Sequence, residues 1–156
     1  PPRSTLFPYT TLFRFPYSWL LVDADLAWSR ARFTDDDPAG NRIPGALESV
    51  ASLGATLTLP HGWSAGARAR YFADAPLIED DSVRASSTLL VNVEGSYQLT
   101  KTVKLSLSVF NLFDREDADI TYFYESQLPG EAAPVEDIHF HPVEPRTVRS
   151  AVSVRF

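Results

Sequence analysis

SLGATLTLPHGWSAGARARYF, residues 52–72, decides the fold. Leu53, Ala55, Leu57 and Leu59 alternate with Ser52, Gly54, Thr56 and Thr58. After the PHG turn at 60–62, Trp63, Ala65, Ala67, Ala69 and Tyr71 alternate with Ser64, Gly66, Arg68 and Arg70. Side chains that repeat every second residue stand on opposite faces of a β-strand, so each half is a strand with one apolar face and one polar or small face. The tight turn makes the two strands antiparallel neighbours.

The same period runs outward in both directions. Leu20, Val22, Ala24, Leu26 and Trp28 oppose Asp23, Asp25 and Ser29, while Leu89, Val91, Val93, Gly95 and Tyr97 oppose Thr88, Asn92, Glu94 and Ser96. Val103, Leu105, Leu107 and Val109 oppose Lys104, Ser106 and Ser108, and Val148, Val152, Val154 and Phe156 oppose Thr147, Arg149, Ser153 and Arg155. The expected fold is all-β, an antiparallel meander of six strands at about 19–33, 48–59, 63–72, 87–99, 103–125 and 137–156. Connections at 34–47, 73–86 and 114–145 are long, and those between them are short.

A soluble sandwich also alternates, but three features favour a membrane barrel. Aromatics bound the apolar faces near the connections, with Trp28, Trp63, Tyr71 and Tyr97 as the expected girdle, because outer-membrane barrels place aromatic residues at both interfaces. Arg68 and Arg70, with Glu94 and Lys104, mark the opposite face as the watery lumen, since an arginine in lipid costs about 2–4 kcal/mol at the midplane. The alternation of short turns and long loops matches periplasmic and extracellular ends. Arg30 and Arg32 share the parity of Leu20, but nine residues from Leu20 to Trp28 suffice for a crossing, so both lie beyond the outer girdle. Asn111 shares the parity of Val109 while Phe110 and Leu112 turn to the lumen, which calls for a bulge or a packing partner inside.

Composition excludes other classes. The chain of 156 residues has a net charge of −6, against the basic balance of nucleic-acid-binding surfaces. Without cysteine it has no disulfides, thiolate metal sites or cysteine nucleophiles. It holds no run of about 18 apolar residues for a membrane helix. No serine is tied by spacing to a histidine and an acid, so no catalytic residue, enzyme activity or cofactor is expected. It contains no methionine, and is read as part of a longer protein.

The stretch SVFNLFDRED at 108–117, with Asn111, Leu112, Phe113 and Asp114, followed by one long loop and a terminal strand ending in Phe156, resembles the C-terminal end of TonB-dependent outer-membrane receptors. The resemblance covers about residues 17–156 and implies the last six strands of a 22-stranded transmembrane β-barrel, an open curved sheet by itself, in the outer membrane of a Gram-negative bacterium. It implies import of a scarce nutrient of the siderophore, cobalamin, haem or oligosaccharide class by TonB-coupled transport. The implied partners are outer-membrane lipid, the barrel-assembly machinery, the TonB complex acting through a plug domain missing from this chain, and an unknown small-molecule ligand. Val152, Val154 and Phe156 resemble the signal read by the assembly machinery. A passive porin-type barrel and a soluble β-sandwich binding module remain the alternatives.

The longest loop carries the ligand-facing candidates. ITYFYESQ and DIHFHPV alternate, so the last two strands are expected to continue outward as a hairpin turning at LPGEAAP. Tyr122, Phe123 and Tyr124 are candidates to stack on a ligand, though packing within the hairpin is the plainer reading. His139 and His141, two apart on one face, are weak metal candidates with Glu125 or Glu144, because a third fixed ligand is lacking. Acidic runs at 35–37 and 79–81 are read as solvated loop in preference to calcium sites. Residues 1–16 are read as a non-native leader: prolines interrupt them, they lack the alternation, and residues 1–14 resemble a translated sequencing adapter.

Overall fold

The computed structural model describes residues 5–6, 10–35 and 38–156, with side chains from Tyr17 onward. The strands are β1 (Thr5–Leu6), β2 (Thr10–Tyr17), β3 (Leu20–Arg30), β4 (Ser49–Thr58), β5 (Trp63–Phe72), β6 (Ala75–Pro76), β7 (Arg84–Ala85), β8 (Thr88–Gln98), β9 (Val103–Phe110), β10 (Ala118–Ser126), β11 (Val135–Pro142) and β12 (Thr147–Val154). A 3-10 turn at Pro60–Gly62 joins β4 to β5, with His61 and Gly62 at positive φ.

One antiparallel sheet runs β3-β4-β5-β8-β9-β12, and β1 and β2 both pair with β3. Its register places like residues in rows across the strands. Val22, Ala55, Ala67, Val93, Val109 and Val148 form one apolar row. Thr56, Gly66, Glu94, Ser108 and Arg149 form a polar row on the other face. The sheet does not close, and β12 pairs only with β9 among the described residues.

Among the described residues nothing packs on the apolar face. Leu26 and Leu53 are each 57% exposed, and Val152 is 66% exposed. A water-soluble sandwich would bury such a face against a second sheet. The buried hydrophobic residues, Ala73, Ala75, Leu77 and Val143, instead lie among the long connections beyond the strand ends. Rings mark both ends of the apolar face: Trp63 faces Tyr97 with centroids 4.6 Å apart near the short turns, and Trp28 and Tyr71 are exposed near the long ones. Positions 63 and 71 are separated by roughly 27 Å of strand.

Three expectations differ from the structure. Residues 10–17 form a strand on β3 where a leader without a ladder was expected; a register irregularity between Arg14 and Tyr17 accommodates Pro16, as prolines in sheets require. Residues 1–4 and 7–9 of that segment lie outside the described residues, as do Asp36 and Asp37 of the first acidic run. The strands expected at 103–125 and 137–156 are each broken in two. β9 stops at Phe110 because Asn111 takes φ 48°, and β10 and β11 form a separate two-stranded sheet. Asn111 therefore needs no bulge within the ladder: the turn ends it.

Candidate ligand-binding site

The polar face carries a crossing ion pair. Asp23 on β3 and Arg68 on β5 flank β4, and Gly54 lies between them in register. Nη1 of Arg68 lies 2.8 Å from Asp23 Oδ2, and Nη2 donates to Oδ1 at 2.9 Å. Nη1 also donates to Ser52 Oγ at 2.9 Å. The pair meets above Gly54, where an added Cβ would lie 2.5 Å from Asp23 Oδ1 and 2.6 Å from Arg68 Nη2. Arg70, Glu94 and Lys104 stand on the same face and are exposed. Arg149 lies over the Phe110 ring, 4.5 Å from its centroid.

At the end bearing the long connections, two loops form one body. Arg32 and Arg42 both bind Glu48 Oε1, at 2.6 and 2.9 Å. Arg42 also binds Asp81 at 2.9 Å, and Arg84 bridges Asp81 and Asp74. Backbone bonds reinforce the seam: Arg42 N–H donates to Glu79 O at 3.0 Å and Gly45 N–H to Pro76 O at 2.8 Å. The hydrogen bond from Arg32 holds the Glu48 carboxyl below its ordinary value, against a weaker upward push from burial. The Asp74 carboxylate raises Arg84, and the Ser82 N–H lowers Asp80. Asp80 and Asp81 of the acidic run are thus held within the loops, and no group of three metal-ligating side chains occurs among the described residues.

A cavity of about 640 Å³ lies between this body and the β10–β11 hairpin. Leu47, Phe72, Leu77, Leu90 and Val143 line it together with Tyr122, Phe123 and Tyr124 of β10. All three aromatic candidates border one cavity, but successive strand residues point to opposite faces, so half-buried Phe123 is directed away from the face of the exposed Tyr122 and Tyr124. His139 and His141 do not line it: His139 stacks on Tyr124 with centroids 4.0 Å apart and shares a 3.1 Å hydrogen bond with Ser126 Oγ, and His141 Nδ1 lies 4.0 Å from Asp119. The sequence reading missed Phe72 and Leu90, which share the parity of Arg70 and Asn92. Two large apolar residues on the polar face, both at the same end of the sheet, were the signal that something packs there.

The family described as TonB dependent receptor-like, beta-barrel, matches residues 9–112. The chain belongs to this family of TonB-dependent receptor barrels. Its fold is similar to the ferric-catecholate import receptor Fiu from E. coli, with a TM-score of 0.71 at 19% identity over 94% of this chain and 20% of that one. The siderophore receptor PiuA from Acinetobacter baumannii gives 0.70 at 16% identity, over 92% of this chain and 20% of that one. The ferric yersiniabactin uptake receptor FyuA from Yersinia pestis gives 0.67 at 20%, over 90% and 22%. The chain thus spans about a fifth of the length of these receptors. TonB-dependent receptors are transport proteins of the Gram-negative outer membrane, not an enzyme family.

Proposed function

We propose that the chain supplies lipid-facing wall and outer loops of a receptor that imports a scarce nutrient, of the siderophore, cobalamin, haem or oligosaccharide class, by TonB-coupled transport. The cavity beneath the β10–β11 hairpin carries this reading. It lies at the long-loop end, on the lumen side of the sheet, with an aromatic and aliphatic lining. Ligand sites are typically concave and apolar with a few polar groups, and Tyr122, Phe123 and Tyr124 offer faces for stacking. The ferric-catecholate and siderophore receptors that share the fold favour an iron chelate.

In the same reading Trp28, Trp63, Tyr71 and Tyr97 sit at the lipid interfaces. Val152, Val154 and Phe156 present the last strand to the barrel-assembly machinery by strand addition. Arg70, Glu94 and Lys104 face the plug through which TonB acts.

The test is uptake by cells carrying the full-length receptor, offered a ferric catecholate chelate, cobalamin, haem or a malto-oligosaccharide. Saturable uptake of one of these is expected, abolished without TonB and reduced at least tenfold by Phe123→Ala with Tyr124→Ala. Uptake that rises linearly with concentration and ignores TonB would make the protein a passive porin.

A further inference from the structure

The chain leaves the sheet at Phe110 and returns at Thr147, which are paired neighbours in β9 and β12. The hairpin that walls the cavity therefore hangs on two adjacent stems, an arrangement that would swing freely without cross-ties.

Both stems are tied by one side chain. Asn111 is 3% exposed. Its Nδ2 donates to Arg115 O on the outgoing stem at 2.9 Å and to Glu144 O on the returning stem at 3.0 Å. Its Oδ1 accepts from Arg115 N–H at 2.9 Å, and its own N–H donates to Asn92 Oδ1 on β8 at 2.9 Å. Further ties follow the same direction. Asp114 Oδ1 accepts from Arg146 N–H at 2.9 Å, Val143 N–H donates to Asp117 O at 3.0 Å, and Thr88 Oγ1 donates to Ala118 O at 3.0 Å.

The residue type follows from these demands. The position needs a backbone at φ 48°, which asparagine adopts more readily than most residues. It also needs two donors and an acceptor on a short side chain. Aspartate brings no donor and would set a carboxylate against two carbonyls; glycine fits the backbone and ties nothing.

We infer that Asn111 is a positioning residue that fixes the β10–β11 hairpin over the cavity, with Asp114 as its second tie. Its consequence for uptake rests on the cavity being the ligand site, but hairpin order is measured without ligand, so the two readings fail separately.

The experiment uses the full-length receptor in lipid bilayers, with nitroxides at Ala132 in the hairpin turn and Lys101 in the opposite short turn, and amide exchange read in parallel. With Asn111→Gly, exchange across 118–142 should rise at least tenfold and the inter-label distance distribution should broaden, while exchange in β3, β4 and β5 stays unchanged. Asn111→Asp should behave like the glycine variant. An unchanged hairpin in Asn111→Gly, a wild-type hairpin in Asn111→Asp, or faster exchange throughout the wall would each overturn the inference. If neither variant assembles, Asp114→Gly, at φ 53° and so compatible with glycine, is held to the same criteria.

Discussion

Replacing Gly54 with alanine tests whether the polar face is organised by the Asp23–Arg68 pair. The new methyl would occupy space 2.5 Å from Asp23 Oδ1 and 2.6 Å from Arg68 Nη2, so the ends of both side chains must shift and the present pairing geometry is lost. Two charge-assisted contacts are at stake, each worth about 1.5–3 kcal/mol. The Arg68 side chain is 37% exposed and water recovers much of its share, whereas the Asp23 side chain is 9% exposed and recovers little. A loss of about 2–3 kcal/mol remains, offset by the roughly 0.5–1 kcal/mol that alanine gains over glycine inside an element. The net is about 1–2 kcal/mol, a change of roughly 5–30-fold in the folding equilibrium. Gly95 provides the control, because its added Cβ meets nothing within 4 Å, and there alanine should stabilise by about 0.5–1 kcal/mol. The assay is denaturant unfolding of the full-length receptor in lipid, followed by tryptophan fluorescence. An Arg68→Ala background should remove most of the Gly54→Ala penalty, since the two act through one contact. Equal effects at Gly54 and Gly95, or a full penalty in the Arg68→Ala background, would show that the Asp23–Arg68 pair does not organise the polar face.

Two further outcomes follow from the faces and the loops. Leu53→Arg should cost about 2–4 kcal/mol and lower the folded receptor in the outer membrane, whereas Thr56→Arg on the polar face should be tolerated, as heat-modified mobility of the folded barrel would show. The lowered Glu48 carboxyl contributes to the loop body fully above its ordinary value of 4.5, and that contribution fades as pH falls through the lower folded value. Protection of the Arg42 and Gly45 amides, taken relative to intrinsic exchange at each pH, should therefore fall as the solution is acidified, and Glu48→Gln should remove the dependence.

Alternation made the six wall strands and their two faces legible, because apolar and polar side chains fall on opposite sides of each strand. It also placed His139 and His141 on one strand face and Tyr122 to Tyr124 at the outer end. What escaped it depends on partners far apart in sequence. The bonds of Asn111 reach Asn92 and Glu144, and nothing in the NLFD stretch names either. Gly54 reads as an unremarkable small residue until the register sets Asp23 and Arg68 on either side of it. The pairing of residues 10–17 escaped because an edge strand is held by backbone groups, and it needs neither alternation nor a proline-free sequence when an irregularity absorbs the proline.

The shared arginines of the loop body constrain how such a receptor can be altered. Arg42 serves Glu48 of its own loop and Asp81 of the next, and Gly40 packs so close to Glu79 that an added Cβ would lie 2.3 Å from its carbonyl oxygen. Neither loop carries a complete set of partners within itself. A graft that transplants one of them leaves charges orphaned on both sides of the cut, so residues 31–48 and 73–87 have to be exchanged as a single cassette.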